Sequence, residues 1–419
     1  MTKTTHLQPS DLRGFARLAT HATAGLADVV EAMHDAITRP ALGGAVHAPG
    51  RTRGLTGLVY KSVRGVTRLV GGALDALIAQ LRPTLAGRTS SPEREAVLAA
   101  LNGVLGDYLV ASNNPLAIPM SLRRNGRLLV LETQALASAI PQGSGKLAVL
   151  AHGLCLNDLQ WNREGHDHGA VLARALGYTP VYLHYNSGLH VSTNGRSFAG
   201  MLEVLLERWP YRVEELAIIA HSMGGLVARS AYHYGAIAGH KWPRRLRKLA
   251  FLGTPHHGAP IERGGNWVEV LLGATPYTAP FARLGKIRSA GITDLRYGNV
   301  LDEHWEGRDR FARAGDTRQP VPLPEGVRCY TMAATTGKKA GDIRDRLVGD
   351  GFVPVSSALG RHEDPRLSLS FPKSRQWIGY GMKHMDLLGR KEVSDQIVRW
   401  FASAPGAPGP RARRAGALG

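Results

Sequence analysis

Ser222 is the residue in this sequence whose setting most directly implies chemistry. It lies in Glu215-Leu-Ala-Ile-Ile-Ala220-His-Ser222-Met-Gly224-Gly225-Leu-Val-Ala-Arg229, an apolar run that reads as a buried strand and passes at once into a helical pattern. A serine at so sharp a strand-to-helix turn is a nucleophile elbow. The turn leaves space only for tiny neighbours, which accounts for Ala220, Gly224 and Gly225. It also holds the serine in a strained backbone conformation, with its hydroxyl exposed beside the first N–H groups of the helix. A small-residue turn that merely packs a helix on a strand would look similar at Gly224 and Gly225, but would not need the serine between strand and helix.

A serine nucleophile needs a base and a carboxylate that orients it. Histidines stand at His384 (Lys383-His384-Met385-Asp386) and in the charged loop around His362. Carboxylates follow the elbow at Asp350, within Gly349-Asp350-Gly351-Phe352-Val353-Pro354, and at Asp342 and Asp345 in a charged stretch. The His256-His257 pair invites a metal reading, but no acidic partner stands at ligand spacing, so hydrogen-bonded scaffolding of a pocket floor is the simpler expectation. In His166-Asp167-His168, Asp167 is expected to cap the next helix rather than to bind zinc.

In these residues the chain resembles the α/β-hydrolase superfamily, and within it lipases and the GPI inositol-deacylase-like branch, over roughly residues 117–404. Ala220 stands where most members have Gly, but small Bacillus lipases share the Ala-His-Ser-Met-Gly-Gly elbow. The resemblance implies an oxyanion loop at His152-Gly153-Leu154, after the strand Leu147–Leu150. Leu154 and Met223 would then supply the two backbone N–H donors, with His152 shaping the loop. It matches Leu252-Gly-Thr-Pro-His-His-Gly258 to a conserved lipase segment and makes Asp350 the acid and His384 the base. The order Ser222, Asp350, His384 is the serine, acid, histidine order of that fold. In secreted calcium-dependent lipases an Asp two residues after the histidine binds calcium. Here Arg390 stands near the equivalent Asp386, so neither metal nor cofactor is expected.

The elements needed to position these residues are legible. Ser121–Arg124 and Arg127–Leu131 flank Asn125-Gly126, a hairpin signal. Strand runs follow at Leu147–Leu150, Val181–Leu183, Leu216–Ile219, Leu249–Leu252 and Val327–Met332, with helical patterns near 168–176, 196–208, 224–234 and 391–403. Alternating strands and helices predict a mostly parallel α/β sheet flanked by helices. The α/β-hydrolase domain is expected over 113–404. An N-terminal helical region over 1–112 precedes it, with helices at 11–38, 55–81 and about 93–110, and a disordered basic tail over 405–419 follows. The helix at 55–81 carries Lys61, Arg64 and Arg68 off its apolar stripe; packing on neighbours is the expected role, and a membrane surface the alternative.

About seventy residues separate Gly258 from Val327, against the dozen or so that a crossover needs. The surplus, about 259–326, reads as a cap, with Trp267, Leu271, Tyr277 and Phe281 expected to line the substrate pocket. An apolar lining favours a hydrophobic ester. Composition bounds the rest. The chain has 419 residues, 43% of them hydrophobic, with two cysteines, which excludes a disulfide scaffold. Its 52 basic and 33 acidic residues give a net charge of +19. That field attracts anionic partners, but no basic motif is interleaved with stacking aromatics, so no specific nucleic-acid partner is expected. Neither a signal peptide nor a membrane span is apparent, giving an expected cytoplasmic location with peripheral contact at an anionic membrane as an addition. The expected activity is a serine hydrolase acting on lipid-like or other hydrophobic carboxylic esters. The alternatives are a thioesterase, acyltransferase or polyester depolymerase on the same fold, or a non-catalytic basic membrane adaptor.

Overall fold

The structure is a computed structural model. It describes residues 92–259, 288–309, 315–339 and 349–403, together with residue 90 and positions 10, 11, 13, 14 and 16–18. The expected helix at 55–81, most of that at 11–38, the four cap residues Trp267, Leu271, Tyr277 and Phe281, the carboxylates Asp342 and Asp345, and the basic tail lie outside the described residues.

The elements run α1 (Pro92–Ala111), β1 (Ser121–Arg124), β2 (Arg127–Leu128), α2 (Thr133–Ala139), β3 (Lys146–Ala151), α3 (His168–Leu176), β4 (Thr179–His184), α4 (Val191–Arg208), β5 (Glu215–His221), α5 (Met223–Ile237), β6 (Leu246–Leu252), α6 (Ala290–Asp294), β7 (Arg328–Thr335), α7 (Val355–Ala358), β8 (Gln376–Tyr380) and α8 (Lys391–Ala402). Eight strands form one sheet in the order β2-β1-β4-β3-β5-β6-β7-β8. The pairs from β4 to β8 are parallel, whereas the β1–β2 hairpin joins antiparallel at one edge. This is the α/β-hydrolase fold.

Local chemistry explains the elements. The hairpin turns at Asn125 and Gly126, with φ of 51° and 72°, values for which these two residue types are suited. α3 is capped as expected, since Asp167 Oδ1 accepts the Ala170 N–H at 2.7 Å, and it stops at Gly177 with φ 72°. The central strands β3, β5 and β6 are buried along almost their whole length, because helices cover both faces. One apolar cluster lies on the face covered by α4 and α5, and a second on the face covered by α3 and α8.

Two elements had no clear periodicity in the sequence. β8 is a half-buried edge strand whose five residues, Gln-Trp-Ile-Gly-Tyr, do not alternate. α2 is seven residues long and buries only Leu136. The end of α1 marks a change in sequence character rather than a gap in packing. Ala100 and Val104 of this helix belong to the same apolar cluster as β3 and α4.

Candidate active site

β5 occupies the middle of the sheet, and its last residue leads straight into Ser222. Ser222 has φ 54° and ψ −125°, a region that non-glycine residues rarely adopt. The turn is pinned by Ser222 N–H donating to Leu252 O at 2.8 Å and by Gly225 N–H donating to Ser222 O at 3.0 Å. A Cβ on Gly224 would sit 2.6 Å from Ala151 O, and one on Gly225 would collide with Thr254 Oγ1. These small residues therefore let the start of α5 press on the ends of β3 and β6.

The loop after β3 lies against the same serine. A Cβ on Gly153 would sit 2.9 Å from Ser222 Cβ. His152 is buried, contacts Gly153 O through Nδ1 at 2.8 Å, and stacks on Tyr185 with ring centroids 4.3 Å apart. Burial pushes its imidazole down to about 3, so it stays neutral. That environment suits a fixed loop-shaping group rather than a base working near neutrality. The N–H groups of Leu154 and Met223 have no acceptor among the described residues, whereas the next N–H, that of Cys155, donates to Ser187 Oγ at 3.0 Å.

Asp350 and His384 come together from loops beyond β7 and β8. His384 Nδ1 lies 2.6 Å from Asp350 Oδ2, and both side chains are buried. The other carboxylate oxygen of Asp350 accepts the N–H groups of Phe352 and Val353 at 2.9 and 2.8 Å. Gly349 and Gly351 flank it with φ of 55° and 99°, which wraps the turn around the carboxylate. The His384 ring packs beside the serine-bearing turn. Its centroid is 4.6 Å from that of His221, and a Cβ on Gly253 would lie 3.0 Å from its Cε1.

The rival groups are engaged elsewhere. His362 Nε2 lies 3.3 Å from Asp316, and its Nδ1 accepts the Asp364 N–H. Asp386 caps the turn at Lys383, accepting its N–H at 2.9 Å, and Arg390 approaches within 3.7 Å. His166 Nε2 and His168 Nδ1 lie 3.2 Å apart, and the opposite nitrogen of His168 contacts Leu387 O. Among the described residues no cluster of His, Cys, Asp and Glu could hold a metal ion.

The expected hydrogen-bonded scaffold at His256 and His257 needs correcting for the first of the pair. Both ring nitrogens of His256 are buried with no hydrogen-bond partner among the described residues, and the ring packs against Phe251 and Phe371. Burial, with the Arg229 charge nearby, drives its imidazole well below the ordinary range. His257 does make polar contacts: its backbone N–H donates to Ser357 Oγ, and Arg318 approaches its ring Nδ1 at 3.4 Å.

Sequence reasoning missed the segment after β4. Tyr185 OH donates to His152 O at 2.8 Å, and Ser187 takes the Cys155 N–H. A small polar run, Asn186-Ser187-Gly188, at the C-terminal end of a buried strand was the available signal, since in open α/β sheets that end carries the binding crevice.

Residues 201–315 match the family model described as the PGAP1-like alpha/beta domain, a span that includes Ser222 and ends before Asp350 and His384. No curated protein matches the chain. Among solved structures it is similar to the mature form of the Bacillus licheniformis lipase BlEst2, at 16% identity over 61% of this chain and 91% of that one, with a TM-score of 0.38. It is also similar to Aspergillus fumigatus lipase B, at 12% identity over 59% and 50% of the two chains, with a TM-score of 0.35. The RedJ thioesterase of the prodiginine pathway in Streptomyces coelicolor is similar at 15% identity over 62% and 86%, with a TM-score of 0.35.

Proposed function

We propose that this protein is a serine hydrolase that cleaves carboxylic esters carrying hydrophobic acyl groups. The observation that carries this reading is the pairing of a strained Ser222 at the end of β5 with a buried His384–Asp350 contact of 2.6 Å packed beside it. In the proposed reaction Ser222 Oγ attacks the ester carbonyl and its proton passes to His384 Nε2. Asp350 holds the Nδ1–H and stabilises the imidazolium. The carbonyl oxygen, now negative, is held by the N–H groups of Leu154 and Met223. Collapse breaks the bond to the leaving alcohol, which takes the proton from His384, and an acyl-enzyme remains. Water then gives a proton to His384 and attacks the acyl carbon, releasing the acid and restoring Ser222.

The preference for hydrophobic acyl groups rests on the apolar stretch that holds Trp267, Leu271, Tyr277 and Phe281. The net charge of +19 suits a substrate presented at an anionic lipid surface, and no described helix is long and apolar enough to cross a membrane.

The test is fluorophosphonate labelling of the full chain, followed by turnover of p-nitrophenyl esters of increasing acyl length. Labelling of the wild type, its loss in Ser222→Ala, and a rise in kcat/KM with chain length are expected. Labelling that survives in Ser222→Ala would remove Ser222 as the nucleophile. A preference for acetyl over longer esters would remove the hydrophobic substrate class.

A further inference from the structure

The contacts between α1 and the loop after β3 go beyond what the proposed chemistry requires of an α/β sheet. α1 precedes the sheet in the chain, yet it lies on the segment that follows Leu154. A Cβ on Gly103 would collide with Cys155 Sγ and sit 3.0 Å from the Cys155 backbone N and Cα. Ala100 O lies 3.9 Å from the same sulfur. Cys155 itself has φ 59°, a left-handed conformation that a cysteine adopts only when its surroundings hold it there.

Three further hydrogen bonds fasten α1 to the residues around this loop. Gly106 O accepts from Asn186 Nδ2 at 3.0 Å, Gly103 O from Ser289 Oγ at 2.6 Å, and Asp107 from the Ala290 N–H at 2.9 Å. The Asn186 contact reaches the loop through its neighbour Ser187, the acceptor of the Cys155 N–H. The Ala290 contact reaches the elbow, because a Cβ on Gly291 would lie 2.9 Å from Met223 Cε.

The first turns of α1 are anchored separately, by a buried charge network. Arg123 on β1 bridges Glu95 of α1 at 2.8 Å and Asp158 at 3.3 Å, and His184 lies 3.1 Å from Asp158. Burial alone would raise the Glu95 carboxyl, but the Arg123 charge and the hydrogen bonds from Ser90 and Arg123 outweigh it and hold the group below the usual range. A network in which Arg123 pairs both buried carboxylates resists sliding of the helix, since displacement would leave Glu95 and Asp158 without their cation.

We propose that α1 belongs to the active-site frame: Gly103 and Ser187 are positioning residues that lock Cys155 in its left-handed conformation and thereby fix the Leu154 N–H beside Ser222. The Leu154 N–H belongs to the Gly153–Leu154 peptide plane, whose Gly153 end is pressed on Ser222, and the next plane carries the Leu154 carbonyl and the Cys155 N–H that Ser187 holds. A rotation at Cys155 therefore has to be taken up at Leu154. The assignment rests on the proposed hydrolase reading, in which that N–H stabilises the oxyanion. Donors of this kind act by being fixed before charge develops, so loosening one costs rate rather than ground-state binding.

The experiment measures p-nitrophenyl ester turnover and the rate of fluorophosphonate inactivation in three variants of the full chain. Ser187→Ala removes the acceptor of the Cys155 N–H. Gly103→Ala forces Cys155 away. Leu109→Ala opens the opposite, apolar face of α1, where Leu109 packs with Leu98, Leu101 and Leu116 away from the loop. In Ser187→Ala and Gly103→Ala, kcat and the inactivation rate are expected to fall together by roughly tenfold to a hundredfold, with KM within about threefold, as for a donor weakened but not deleted. Leu109→Ala is expected to lower Tm while reacting at the wild-type rate. Wild-type rates in a folded Ser187→Ala would overturn the inference and leave the hydrolase reading standing, as would equal rate losses in Leu109→Ala and Ser187→Ala. A wild type inert to fluorophosphonate and to every ester would overturn both.

Discussion

His384 Nδ1 meets Asp350 Oδ2 at 2.6 Å with both side chains buried, while the second oxygen of Asp350 is saturated by two backbone N–H groups. The carboxylate therefore points one lone pair at one imidazole nitrogen and has no freedom to serve another group. In the proposed reaction this leaves the opposite nitrogen of His384 for proton transfer. Asp350→Asn presents an amide that stabilises the wrong imidazole tautomer. A loss of about 10⁴ in kcat with KM changed only a few-fold is expected, read from steady-state ester hydrolysis at neutral pH.

The backbone of Ser222 offers a test that does not depend on substrate. At φ 54° a side chain is strained and glycine is not. Ser222→Gly is expected to be more stable than Ser222→Ala by about 1 kcal/mol, although both should be inactive. Chemical denaturation of the two variants side by side checks this. Equal stabilities would mean that the turn relaxes when the hydroxyl is removed.

Acid should destabilise the fold well above the carboxylate range. Burial pushes His152 down to about 3 and His168 to about 4. It drives His221 and His256 well below the ordinary value. In the unfolded chain these groups titrate near ~6.5. The unfolded state therefore binds more protons as pH falls below ~6.5, and stability falls with it; for His168 and His152 the loss runs down to about pH 4 and about pH 3, at up to about 1.4 kcal/mol per pH unit for each. His256→Phe, which replaces a ring packed against Phe251 and Phe371 with no polar partner among the described residues, should flatten this acid limb. Thermal unfolding from pH 8 to pH 4.5 measures it.

Arg123 holds two buried carboxylates, so its removal should cost more than an exposed ion pair would. Arg123→Met is expected to lose about 3–5 kcal/mol at neutral pH. The deficit should shrink below pH ~4, where Glu95 and Asp158 can take up protons. Urea unfolding at pH 7 and pH 4 separates this charge effect from a loss of packing.

Chelation should leave activity intact. Asp386 accepts the Lys383 N–H and faces Arg390, which places a cation's charge where a divalent ion would otherwise be drawn. Unchanged ester turnover in EDTA is expected. Loss of activity restored by calcium would reverse the assignment.

Much of the site could be read from residue type and order because it depends on local sterics. A serine between a buried strand and a helix, flanked by Ala220, Gly224 and Gly225, has few conformations open to it, and the structure finds Ser222 at a positive φ. The strands β3 to β7 were legible for the same kind of reason: burial on both faces leaves a continuous apolar run, whatever the neighbours are. β8 and α2 were not, because each buries too little surface to impose a period on so few residues.

What only the tertiary structure decided is which distant groups meet. Nothing local distinguishes the imidazole of His384 from that of His362, and it is the parallel pairing of β7 and β8, whose ends lead to Asp350 and His384, that brings the first to Asp350 and leaves the second with Asp316. Likewise no pattern in α1 announces that Gly103 will touch Cys155, some fifty positions on and across β1 to β3. Periodicity reports that a helix has a buried face, but it carries no information about which backbone lies beneath it. That choice follows from the strand order, which sets the element that covers the end of β3, and from the buried charges of Glu95, Arg123 and Asp158, which fix where along that element the contact falls.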